Sequence, residues 1–140
     1  MSRIYILLTV MVVMFGAPFF GAGVSVAEAL EVIAGTSEND SLVGIEGADH
    51  LKGRAGDDHL GGGAGDDLIE GGRGHDVIIP GEDNDEVYAG AGNDRIYARD
   101  TDGVDFIDCT VGFDRVETIH RDDRTKGNCE RAPGPRRDDS

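Results

Sequence analysis

Along residues 35–97 a large aliphatic side chain returns at every ninth position, each time two residues after an aspartate. The aliphatics are Leu42, Leu51, Leu60, Ile69, Ile78, Val87 and Ile96, and the aspartates are Asp40, Asp49, Asp58, Asp67, Asp76, Asp85 and Asp94. The last three positions of each nine, as in Leu68-Ile69-Glu70, have room only for a very short strand with its middle side chain inward. The first six, as in Gly62-Gly63-Ala64-Gly65-Asp66-Asp67, predict a turn. Two such strands and two turns complete one coil in two rows, so turns of alternate rows line each edge. After Tyr97 the frame slips by two residues at "ARDTD", then resumes with Gly103, Asp105 and Ile107, and again with Gly112, Asp114 and Val116. Low-complexity disorder does not hold phase in this way.

The turns are built from glycine and oxygen. Glycine stands fourth in Gly47, Gly56, Gly65, Gly74 and Gly92, with Glu38 and Asp83 as exceptions, and it opens rows as Gly53, Gly62 and Gly71. Glycine lets the backbone enter left-handed conformations and aim carbonyl oxygens at a common point. With the sixth-position carboxylates these form a set of hard oxygen ligands, which suits calcium and its six to eight oxygens in flexible geometry. One six-residue turn is too short to supply them all, so an ion is expected between stacked turns. The fifth position holds Asn39, Ala48, Asp57, Asp66, His75, Asn84 and Asn93, then Val104 and Phe113. A site open to so many side chains is expected to need no carboxylate.

Composition narrows the partners. The chain has 140 residues, 22 glycines, 28 Asp plus Glu against 13 Lys plus Arg, no tryptophan and a net charge of -15. So few basic residues argue against nucleic acid, whose binding depends on Lys and Arg at phosphates, and against anionic membrane surfaces. Cations are the natural partners. The apolar run Ile4–Phe20 after Arg3, followed by Ser25-Val26-Ala27, predicts a signal peptide over 1–27 cleaved after Ala27. The chain is therefore expected to be secreted, with no stable membrane insertion after cleavage; a retained anchor is the alternative.

The rows resemble the hemolysin-type, or RTX, calcium-binding repeat GGxGxDxUx, in which U is a large aliphatic. "GGAGDDLIE" and "GGRGHDVII" match it at every fixed position, and the likeness runs from residue 35 to about 117. It implies an all-β fold, a parallel β-roll (solenoid) with several Ca2+ ions between the turns of successive coils. The carried-over ligands are Asp40, Asp49, Asp58, Asp67, Asp76, Asp85 and Asp94, with Gly47, Gly53, Gly56, Gly62, Gly65, Gly71 and Gly74. The better-known members are large toxins, proteases or lipases with a carboxy-terminal export signal. Here the roll fills nearly the whole chain and the expected signal is amino-terminal.

The far end, "IDCTVGFDRVETIHRDDRTKGNCER", resembles the ending of small exported bacterial repeat proteins in which two cysteines close the last coils. Cys109 and Cys129 are the only cysteines, and in an exported chain an even pair implies one disulfide, with free thiols or an intermolecular bridge as alternatives. The organisation expected is a signal peptide at 1–27, a lead-in at 28–34 and regular calcium-binding repeats at 35–97. Degenerate repeats with a disulfide cap follow at 98–131, and a disordered tail at 132–140.

Other chemistry is weaker. His50, His59 and His75 invite a zinc reading, against exposed variation within the repeat. Asp100–Asp105 lacks the glycine spacing and closing Glu of an EF-hand loop. No Gly-Lys-Ser/Thr phosphate loop and no serine–histidine–acid set stand out, so no enzyme activity is expected. Tyr88 and Tyr97 are expected to stack on an outer face, with a carbohydrate platform as the functional alternative. A surface or adhesion module, or a non-catalytic auxiliary of a secreted enzyme, stays open, with protein or carbohydrate partner unknown.

Overall fold

A computed structural model describes residues 31–99, 103–118 and 122–131. The expected signal peptide, residues 28–30 of the lead-in, Asp100–Asp102 and the tail from 132 lie outside them. The elements are β1 (Glu31–Ala34), β2 (Ser41–Val43), β3 (Asp49–Ala55), β4 (His59–Ala64), β5 (Leu68–Arg73) and β6 (Val77–Glu82). They continue as β7 (Glu86–Ala91), β8 (Arg95–Ala98), β9 (Phe106–Asp108), β10 (Asp114–Thr118), β11 (Arg124–Lys126) and β12 (Cys129–Arg131). Odd strands form one six-stranded sheet and even strands the other, each in sequential order and parallel throughout. The protein is a β-solenoid, an all-β parallel roll.

Register follows from the eighth position. Leu51 pairs with Ile69, then Val87, then Ile107 in one sheet; Leu42, Leu60, Ile78, Ile96 and Val116 line up in the other. A shift by one residue would turn every one of these side chains outward, so burial pins the pairing. All nine are buried and form the core between the sheets, joined by Ala89, Ala98 and Cys109. The two-residue slip after Tyr97 changes the coil spacing once, at Val87–Ile107 and Ile96–Val116, without changing which residues face inward.

Two features differ from the sequence expectation. Strands β3 to β7 are longer than three residues, because pairing skips the first position of a row and restarts at the second: Lys52 pairs with Glu70, and Arg54 with Gly72. The turn is therefore partly strand. The lead-in is also partly roll, since Glu31–Ala34 pairs with β3 in the register of positions six to nine and Ile33 packs on the core.

Candidate metal centre

The sixth-position aspartates form two columns, one along each edge of the roll. Asp40, Asp58, Asp76, Asp94 and Asp114 stack on one edge, and Asp49, Asp67, Asp85, Asp105 and Asp123 on the other. Each link is a hydrogen bond in which the backbone N–H of one aspartate donates to Oδ1 of the aspartate a coil later, at 2.7–3.2 Å. All but Asp40 are buried. Asp123 was not legible from the repeat, because its row carries Thr125 where the others carry an aliphatic. The signal available was its spacing from Asp105, the same as between earlier rows of one edge.

The second carboxylate oxygen is the unusual part. Oδ2 of Asp58, Asp67, Asp76, Asp94 and Asp114 is buried without a hydrogen-bond partner. A buried charge in that condition is costly. Burial pushes the carboxyls of Asp58, Asp67, Asp76 and Asp114 above the usual carboxylate range. Asp94 is pushed up to about 6 by burial and by the Asp114 and Asp76 charges in its column, against the hydrogen bond from the Asp76 N–H. The sites therefore want positive charge, as a proton or as a cation.

Backbone oxygens meet these carboxylates. A methyl group added at Gly53 would run into both Asp58 Oδ2 and the Gly71 carbonyl; at Gly62 it would meet Asp67 Oδ2 and the Pro80 carbonyl, and at Gly71 Asp76 Oδ2 and the Ala89 carbonyl. Glycine keeps that space open for two converging oxygens in these rows, although Ala89, Ala98 and Cys109 fill the equivalent place further along. Gly47, Gly56, Gly65 and Gly74 take φ of 101°, 118°, 117° and 128°, and Asp83 reaches 77° where glycine is missing. Among the described residues no three acidic, histidine or cysteine side chains converge on one point. A cation here depends on carbonyls as well as carboxylates, which is the donor set of calcium.

The fifth position forms a second ladder that sequence reasoning missed. Asn39 Oδ1 accepts the Asp57 N–H, Asp57 Oδ1 that of His75, His75 Nδ1 that of Asn93, and Asn93 Oδ1 that of Phe113. On the other edge Asp66 Oδ1 accepts from the Asn84 N–H and Nδ2, and Asn84 Oδ1 accepts the Val104 N–H. In most rows the position supplies an acceptor, and Asn and His fill that role as well as Asp. The signal was present in the run of Asn, Asp and His.

The remaining candidates disperse. His50 lies on one sheet against Glu70 Oε1 at 2.8 Å, His59 is exposed on the other, and His75 belongs to the ladder. Tyr88 and Tyr97 do not share a face: Tyr88 stands edge-on to Phe106 on the odd sheet, and Tyr97 lies under Arg99 on the even one. Cys109 and Cys129 are joined, with Cα atoms 5.5 Å apart. Cys129 pairs in register with Asp114, so the bridge stands where the next carboxylate of that column would come.

Four copies of the RTX calcium-binding nonapeptide repeat model match residues 31–60, 43–78, 70–105 and 79–115, more than half of the chain. The chain belongs to the RTX calcium-binding repeat family. No curated protein and no solved structure matches it. RTX nonapeptide repeats bind calcium, which supports a calcium-binding β-roll. Among the described residues no helix is long and apolar enough to cross a membrane.

Proposed function

We propose that this RTX protein is exported as a non-catalytic chain and folds into its roll by binding several calcium ions between stacked turns. The observation that carries the coupling is the set of buried, unpartnered Oδ2 atoms on Asp58, Asp67, Asp76, Asp94 and Asp114. Each regular row buries one aliphatic for nine ordered residues, and area burial of that size hardly offsets the chain entropy. The carboxylates also repel one another along each edge. Bound calcium supplies the opposing charge and ties one turn to the next, so binding energy becomes folding energy.

The carboxylates of these rows, with the first-position and fourth-position backbone, would hold the ions. The expected signal peptide and the pairing of Cys109 with Cys129 support an oxidising, calcium-rich destination. Extracellular calcium modules bind at about 10^-4 to 10^-3 M, which lets the chain stay unfolded through export and set outside. Far-UV circular dichroism of metal-stripped mature protein tests this. A coil-like spectrum that gains β signal cooperatively with calcium, and not with magnesium, is the expected result. A chain already fully folded without metal would end the coupling mechanism.

A further inference from the structure

The turns are not equivalent, and the difference lies at their second position. In the first two rows that position holds Thr36 and Ile45. Thr36 donates its N–H and hydroxyl to Asp40 Oδ2 at 2.6 and 3.0 Å, and Ile45 donates its N–H to Asp49 Oδ2 at 2.8 Å. Those two carboxylates are satisfied inside their own turns. In later rows the second position holds Arg54, Gly63, Gly72 and Gly90, then Thr110 after the slip, with φ of 81°, 125°, 118°, 108° and 49°. These are the rows of Asp58, Asp67, Asp76, Asp94 and Asp114, whose Oδ2 atoms have no hydrogen-bond partner.

The link is the peptide between positions one and two. Every described peptide here is trans, so its N–H and C=O point in opposite directions. When the N–H points at the carboxylate, the first-position carbonyl of that turn points away from it. An inward N–H occupies an oxygen lone pair and sets a partial positive charge where a cation would sit. Left-handed φ at the second position removes that donor. Thr36 and Ile45 keep the φ that β-branched residues favour, and their turns are closed; Thr110, also β-branched, takes the left-handed φ only in the turn after the slip. Arg54 adopts it at φ 81°, backbone strain of the kind retained where its surroundings demand it.

We propose that the backbone conformation at the second position sorts the turns of this roll: the rows of Asp58, Asp67, Asp76, Asp94 and Asp114 hold calcium on their sixth-position carboxylates, whereas Asp40 and Asp49 close their own turns and hold none. This rests on the calcium reading above and removes two of the aspartates that the repeat pattern alone would count as ligands.

The test compares Asp49→Asn with Asp67→Asn, neighbours in one column, in the mature oxidised chain. Bound calcium per chain is measured by equilibrium dialysis, with circular dichroism at saturating calcium to confirm the roll. The side-chain amide oxygen that Asp49→Asn introduces still accepts the Ile45 N–H, so this variant should bind as much calcium as the parent, and Asp67→Asn should bind less. An equal loss in both variants overturns the sorting while leaving calcium binding intact. A parent chain that binds no calcium overturns the calcium reading itself, and the sorting with it. A second measurement needs no variant: the Thr36 and Ile45 amide resonances of the parent should keep their carboxylate-bonded shifts at saturating calcium. Loss of those hydrogen bonds on loading would also overturn the proposal.

Discussion

Asp66 and Asp67 are adjacent, chemically identical and opposite in role, which makes them an internal control. Asp67 is 3% exposed, and its Oδ1 holds the Asp49 N–H at 2.7 Å. Asp66 is exposed, and its Oδ1 takes the N–H and Nδ2 of Asn84 at 3.0 and 3.1 Å. Asp67→Ala removes a buried hydrogen bond to a charged acceptor, worth about 1.5–3 kcal/mol in the loaded roll. At 1.4 kcal/mol per decade, the calcium midpoint should rise about 10- to 100-fold before any lost ligand is counted. Asp66→Ala removes exposed hydrogen bonds worth about 1 kcal/mol, so its shift should stay near fivefold. Asp66→Asn keeps the acceptor and should shift the midpoint least. All three remove one negative charge, so diffuse electrostatics would move them equally. Calorimetric calcium titration reads the order. Equal shifts, or an Asp66→Asn effect matching Asp67→Ala, would refute the reasoning.

Protonation should partly stand in for calcium. The folded pKa of Asp94 lies above its ordinary 3.8, at about 6, so the folded chain binds more protons between those values and its stability falls as pH rises through them; metal-stripped protein should therefore gain β signal from pH 7.5 towards 4.5, and a flat or falling signal would count against the buried columns. Reduction of Cys109–Cys129 should speed amide exchange in β9 to β12 and leave β3 to β6 unchanged, because coils contact chiefly their neighbours; uniform loosening by exchange mass spectrometry would contradict that. Arg54→Gly relieves a non-glycine φ of 81° and should raise the melting temperature of the calcium-loaded roll, where an interior glycine ordinarily lowers stability.

What the sequence made legible was whatever repeats with period nine. The inward eighth position, the buried sixth and the even–odd division of strands all follow from one phased aliphatic and one phased carboxylate. Glu31–Ala34 escaped because it has no glycine turn ahead of it, only the register of Ile33 with Leu51. The fifth-position ladder escaped for a different reason. Asn, Asp and His are unlike in charge but alike as acceptors, and a reading by charge scatters them. The split between Asp40 or Asp49 and the later aspartates depends on a backbone angle at another position, which phase at the sixth position does not encode.

The two ladders run in opposite senses along each edge. A sixth-position oxygen reaches back to the N–H of the preceding coil, whereas a fifth-position acceptor receives the N–H of the following one. Each regular turn is thereby held on both sides by hydrogen bonds from short side chains, independently of any ion. Such bonds fix the spacing and register of the coils, but they leave Oδ2 of Asp58, Asp67, Asp76, Asp94 and Asp114 without a partner. The unpartnered Oδ2 atoms leave charge that the hydrogen bonds do not neutralise, so the same turn that is geometrically complete is electrostatically open. That separation supports the proposed coupling, in which a chain with one buried aliphatic per row has a defined folded shape but needs a cation to reach it.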